Sequence, residues 1–197
     1  MTNFRMKYSF SFKFFLLLTI FFLLFWKGTI STASAQECNI IYVTPNGATS
    51  GTAGTKANPA ALDYAFTLAS TTNSQLWLAV GNYTISNHLL MISGITMEGG
   101  FDPANNWQKT NSQQTVIFRD SLNLVANPNR IVAVECKSID NFSIHDITIN
   151  VSDAPLSANS ASTYGIHVTN SFNYNFSRLT INAGNGTRGA DGIPGID

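Results

Sequence analysis

The sequence predicts an all-β chain wound as a parallel β-solenoid, and two observations carry that prediction. Three stretches share one apolar stencil: Leu90/Ile92/Ile95/Met97, Phe142/Ile144/Ile147/Ile149 and Tyr174/Phe176/Leu179/Ile181. In each, two alternating apolar positions precede a two-residue skip and two more apolar positions. Alternation is the strand period, and the skip swaps the inward parity, as happens when a chain turns a corner between strands. The second and third copies also lie 32 residues apart. Their register runs without a gap from Val132/Val134/Cys136 against Tyr164/Ile166/Val168 to Ile149 against Ile181. Units of this size at constant spacing indicate turns that each bury an apolar face on the next.

Residues 1–35 stand apart from the pattern. Arg5, Lys7 and Lys13 precede a 13-residue run, Phe14 to Trp26, that is apolar except for Thr19, and Ala33-Ser34-Ala35 follows. The run is shorter than the roughly 20 residues of a spanning helix. It reads as a secretory signal cut after Ala35, with an uncleaved anchor as the alternative. Gln36 and Glu37 separate Cys38 from the small residues, which argues against a lipid anchor. Past the cut, seven Lys/Arg face eleven Asp/Glu, and no basic stripe for nucleic acid remains. Charged residues are 11% of the chain, against a usual share of about 25%. Asn, Thr, Ser and Gly take the polar positions, which suits stacked coils because rows of like charge would repel. The implied location is extracellular or at the cell surface.

The exported chain divides into an opening segment over 36–75, coils over 76–182 and a Gly-rich stretch over 183–197. Ile40 to Val43 forms an opening strand, and Pro45 to Lys56 a polar loop. Asn58 caps a short helix with Pro59 at its first position. Leu62, Ala65, Phe66 and Ala69 give that helix one apolar stripe, fit to cover the open end of a β-stack. Leu76, Leu78 and Val80 form the first rung, with Gly81 at the corner. Ile95 and Ile147 are 52 residues apart, leaving room for an intermediate coil that holds Val116 and Phe118. Val151 to Thr163 is small and polar and reads as a loop projecting from a corner. On the outer face Thr96, Thr148 and Thr180 align, as do Asn150 and Asn182. Gly186, Gly189, Gly192 and Gly195 fall at every third position, too few triplets for a collagen helix. They read as a flexible loop leaving the coils, in a chain that looks like the N-terminal part of a longer protein.

A resemblance then enters. Tyr42-Val43-Thr44-Pro45-Asn46-Gly47 followed by Gly54-Thr55-Lys56-Ala57-Asn58-Pro59 resembles the start of pectin-lyase-like right-handed parallel β-helix proteins. Val80-Gly81-Asn82-Tyr83, Gly99-Gly100-Phe101-Asp102 with Trp107, and Asn141-Phe142-Ser143 with Ile147-Thr148-Ile149 are similar as well. The likeness is closest to large repetitive bacterial surface proteins of that superfamily, and it spans nearly all of the exported chain. It implies a right-handed winding. Its motifs are corner and rung residues, so it implies no particular reaction. Enzymes of the superfamily cut acidic polysaccharides. Resembling lyases would bring aspartates clustered for calcium and an arginine base, and resembling hydrolases would bring paired aspartates. After Ala35 the chain has no Asp-Asp, no Gly-His-Gly and no Arg-x-Lys, so no catalytic residue is assigned.

The candidate chemistry is sparse. His145-Asp146 is the most tempting pair, yet one repeat later these positions hold Ser177 and Arg178, which reads as a surface ion pair between coils. Glu98 and Asp102 flank Gly99-Gly100 and can be read either as a weak calcium site or as a solvated turn; no other cofactor is implied. Three aromatics are expected to offer sugar contacts: Trp107 and Tyr83 at or after corners, and Trp77 facing outward between Leu76 and Leu78. Trp77 lying beneath the helix is the alternative. Cys38 and Cys136 form a disulfide or, since Cys136 fills the slot of Val168, Cys136 is a buried thiol. Two functions stay open. One is a non-enzymatic, adhesin-like surface or secreted scaffold that binds polysaccharide or cell-surface glycans, with no spanning segment in the exported chain. The other is the N-terminal part of a polysaccharide lyase or glycoside hydrolase whose catalytic coils lie beyond Asp197.

Overall fold

Inward residues at alternate positions, interrupted by corner residues, wind the chain into about four turns. In the computed structural model the described residues are 39–69, 74–189 and 192, all within the unit Gln36–Asp197. Residues 1–35, Cys38, Gly195 and Asp197 lie outside them. The elements are β1 (Ile40–Ala48), α1 (Leu62–Leu68), β2 (Gln75–Ala79), β3 (Gly81–Ile85), β4 (Leu89–Leu90), β5 (Thr96–Asp102) and β6 (Gln108–Lys109). There follow β7 (Thr115–Arg119), β8 (Arg130–Lys137), β9 (Asp140–His145), β10 (Ile147–Val151), β11 (Ser162–Thr169), β12 (Phe172–Ser177) and β13 (Thr180–Asn182).

Three parallel sheets enclose the core. The first runs β1-β2-β5-β9-β12 with β6 antiparallel on β5, the second β13-β10-β7-β3, and the third β11-β8-β4. Ile149 lies beside Ile181, and Val132, Val134 and Cys136 lie beside Tyr164, Ile166 and Val168, as the 32-residue repeat requires. Left-handed backbone at Ser138 and Asn170, Asn141 and Asn173, and Asp146 and Arg178 makes the corners stack in pairs. Asn and Asp tolerate that conformation better than most side chains. The two-residue skip is therefore a corner with one left-handed residue. Polar ladders reinforce the stack: Asn182 donates to Asn150 Oδ1 at 2.8 Å, and Asn173 donates to Asn141.

Three expectations change. The first stencil copy belongs to a different corner. Met97 pairs with Ile144 and Thr96 with Ser143 in the first sheet, so Thr96 is not in the row of Thr148 and Thr180. Leu90 points out, while Leu89 and Met91 are buried. On β7 the inward residues are Thr115, Ile117 and Arg119, and Val116 and Phe118 face outward. The helix begins three residues later than expected, with Ala61 as a cap that offers no side-chain hydrogen bond. Pro59 and Ala60 are spent on β1 instead: Ala48 N donates to Pro59 O at 2.8 Å, and Ala60 bridges Val43 and Ala48. The apolar stripe itself holds, with Leu62 and Ala65 buried and Phe66 and Ala69 packed against the core. Of the two readings of Cys136 the buried thiol holds: it is a free cysteine, its pKa pushed up to about 12 by burial and by the neighbouring Glu135 carboxylate.

Candidate functional site

The site forms where the first sheet turns into the second. Between β2 and β3 and between β9 and β10 that corner is one residue, and between β12 and β13 two; after β5 it is an excursion over residues 103–114. Gly100 adopts φ +86°, and an added Cβ at Gly99 would collide with the Asp146 carbonyl oxygen and lie 2.7 Å from Thr115 Cβ. Asp102 Oδ1 accepts from Ala104 N at 2.9 Å and starts a 3-10 turn over Pro103–Asn105. Left-handed Asn106 and Trp107 then return the chain as β6, placing Lys109 beside Phe101. Lys109 Nζ sits 4.5 Å from the Phe101 ring centre, in reach of cation–π attraction.

From there Lys109 reaches two carboxylates. Its Nζ is 2.8 Å from Glu98 Oε1 and 2.7 Å from Asp146 Oδ2, and it also donates to Gly99 O. Arg178, at the same corner one coil later, donates Nε–H to Asp146 Oδ1 and Nη2–H to Oδ2, the latter at 3.0 Å. The Arg178 hydrogen bonds, with help from Lys109 and against partial burial, hold the Asp146 pKa down to about 2. Asp146 is thus a permanent anion at neutral pH, stapling three coils. Around it opens a groove of about 550 Å³, lined also by Thr110, Asn111, Gln113, Gln114, Thr148 and Thr180. Each of these side chains can donate and accept hydrogen bonds.

The residues singled out in the sequence are distributed as follows. Asp146 does pair with Arg178. Its neighbour His145 turns away and places Nδ1 2.6 Å from Ser177 Oγ, so the adjacent imidazole and carboxylate do not act together. Glu98 and Asp102 take separate partners, Lys109 and Ala104 N. Trp77 faces outward as expected, stacked at 4.3 Å on Phe101 rather than lying under the helix. Trp107 and Tyr83 are interior, 4% and 3% exposed. Trp107 packs edge-on against Tyr42, and Tyr83 donates its hydroxyl to the Val43 or Ala79 carbonyl, each at 3.0 Å. Their ring faces are taken by protein neighbours. Tyr42, Ala79, Phe101 and Trp107, with Ile40 and Trp77, make a second apolar cluster on the outer face of the first sheet.

Sequence reasoning missed the hub itself. Lys109 sits in a polar run with no periodicity, and its partner Asp146 is 37 residues away. It also missed Arg119, fully buried, whose guanidinium donates to the carbonyls of Val132, Asp120, Leu122 and Asn123. The parity of Ile117 marked that position as inward. A third cluster surrounds Glu135: Arg130 Nη2 at 3.0 Å, His88 Nε2 at 3.4 Å and His167 Nδ1 at 3.7 Å. Among the described residues no group of three or more His, Cys, Asp or Glu is arranged to hold a metal ion. Among them no helix is long and apolar enough to cross a membrane. No protein-family model, curated protein or solved structure matches the chain. Fold and site together define a parallel β-solenoid with a polar, ion-paired corner groove.

Proposed function

We propose that this chain forms a secreted or cell-surface β-helix scaffold, adhesin-like in role, that holds neutral glycan chains in the corner groove and does no chemistry on them. The carrying observation is the lining of that groove: amide and hydroxyl side chains surround charges that are already paired with one another. Amides and hydroxyls match sugar hydroxyls because each side can donate and accept. A carboxylate held ionised down to about pH 2 cannot serve as the general acid that a glycosidase needs. Trp77, half-buried and one strand from Glu98, borders the same face. The basic start and apolar run before Ala35 support export. The resemblance to pectin-lyase-like surface proteins agrees with this role.

A glycan array probed with the exported chain tests the proposal. Neutral hexose oligomers are expected to bind. Replacing Asn111 and Gln114 together by Ala should weaken that binding about tenfold or more, given about 1 kcal/mol per hydrogen bond. Silence on neutral glycans overturns the reading. Release of new ends from pectin or uronate polymers would replace it with the lyase or hydrolase alternative.

A further inference from the structure

One wall of the corner groove hangs mainly on a single side chain. Asn111, Gln113 and Gln114, which line the groove, belong to the excursion over residues 103–114. Backbone bonds tie its two ends: Trp107 N donates to Asp102 O and Thr110 N to Gly100 O, each at 2.8 Å, and Gly81 N donates to Gln114 O at 2.9 Å. Between these ties Asn111, Ser112 and Gln113 make no hydrogen bond to another backbone group among the described residues. The Ser112 side chain bonds within the excursion, to Thr110. Two side chains carry the excursion across to the coil of Asp146. Gln114 Oε1 accepts from Thr148 Oγ1 at 3.4 Å, a long contact. Lys109 does the rest. Its ammonium fills a cradle of three oxygens, from Glu98, Asp146 and the Gly99 carbonyl, beside the Phe101 ring.

We propose that Lys109 is the positioning residue of the groove, and that it makes the groove's hold on a neutral glycan depend on ionic strength. This role rests on the glycan reading of the groove and adds what keeps that site in shape. Only molecules with the wall in place are competent to bind, so apparent affinity scales with their fraction. The Lys109, Glu98 and Asp146 side chains are 39%, 25% and 23% exposed, so dissolved salt screens their ion pairs. A neutral sugar brings no charge of its own. Salt dependence that vanishes when the ammonium is removed therefore reports the clasp and not the ligand.

Two measurements on the full chain test this. In the first, neutral hexose oligomers are titrated at about 0.1 M and about 1 M NaCl, between which the Debye length falls from about 10 Å to about 3 Å. The unaltered chain should lose about threefold in affinity at the higher salt. Lys109→Met keeps an unbranched stem over Phe101 without the charge. It should bind about tenfold more weakly at the lower salt and lose nothing further at the higher. In the second, hydrogen exchange is followed with no glycan present. The amides of Thr110 and Gly81, whose bonds tie the excursion, should exchange faster in Lys109→Met than in the unaltered chain, while those of β9 stay unchanged. Equal exchange in the two chains overturns the clasp whatever the glycan result. Glycan affinity indifferent to both salt and Lys109 overturns it as well. Faster exchange in the variant, with no glycan bound by the unaltered chain, upholds the clasp and overturns the glycan reading instead.

Discussion

Strands β8 to β10 and strands β11 to β13 carry the same 32-residue repeat, yet only the first set is buried. Phe142 is 1% exposed and its partner Tyr174 47%, while Ile149 is 0% exposed and its partner Ile181 46%. The alternation decides which way a side chain points. How deeply it is buried is decided by the layer stacked above. Identical positions should therefore differ in energetic weight, and substitutions placed one repeat apart measure the difference.

The largest contrast is expected at the aromatic pair. Phe142→Ala empties a fully enclosed site and should cost about 3 to 5 kcal/mol, whereas Tyr174→Ala, at a half-open site, should cost less than about 1.5 kcal/mol. Chemical denaturation of both variants checks this. Equal losses would mean that the last coil is covered in solution. Next in size is Arg119→Met, which strands the carbonyls of Asp120, Leu122 and Asn123 inside the loop after β7. A loss of about 3 kcal/mol is expected, set by the unpaired carbonyls rather than by the missing charge. Replacing the same loop's Leu122, which is 59% exposed, by Ala should change stability by less than about 0.5 kcal/mol.

The register from Val132 to Ile181 was legible in the sequence because no insertion interrupts it, so every apolar pair kept its spacing. The stencil failed at Ile95 and Met97 for a geometric reason. Passing from the third sheet to the first, between Ile92 and Ile95, gives the same spacing as passing from the first to the second, between Ile144 and Ile147. An apolar pattern marks a corner without saying which corner it is. The Asp146–Arg178 contact was readable because both lie at one position of the repeat. Lys109 was not, since it arrives on the one excursion that breaks the repeat. Trp107 and Tyr83 mislead similarly: an aromatic near a corner can seal the fold or face water, and here Trp107 joins the outer cluster around Phe101 while Tyr83 joins the main core.

Cys136 sharpens the same contrast by a chemical route. Its thiol, pushed up to about 12 in pKa and fully buried, should resist iodoacetamide at pH 8 in the folded chain and react once guanidinium unfolds it. Moving a thiol one repeat on, as Val168→Cys, puts it in the half-buried slot of the last coil. Measurable labelling there in the native state, with Cys136 silent, confirms the difference between the two layers; equal silence would mean that the end is occluded.

The smallest effect should come from the surface corner, where the two coils are joined by charge rather than by packing. Asp146 is ionised in the folded chain down to about pH 2, below the ordinary carboxylate range near 3.9. A depressed carboxylate contributes stability above its unfolded pKa, and that contribution disappears as pH falls from about 4 to about 2. Partial exposure limits it to no more than about 1 kcal/mol. Asp146→Asn should therefore lower stability slightly at pH 7 and narrow its gap to the unaltered chain as pH drops to 2. If the gap stayed constant down to pH 2, the loss would lie in the left-handed corner and not in the ion pairs with Lys109 and Arg178. Asn tolerates that backbone conformation as readily as Asp, so a converging pair of curves is the expected result.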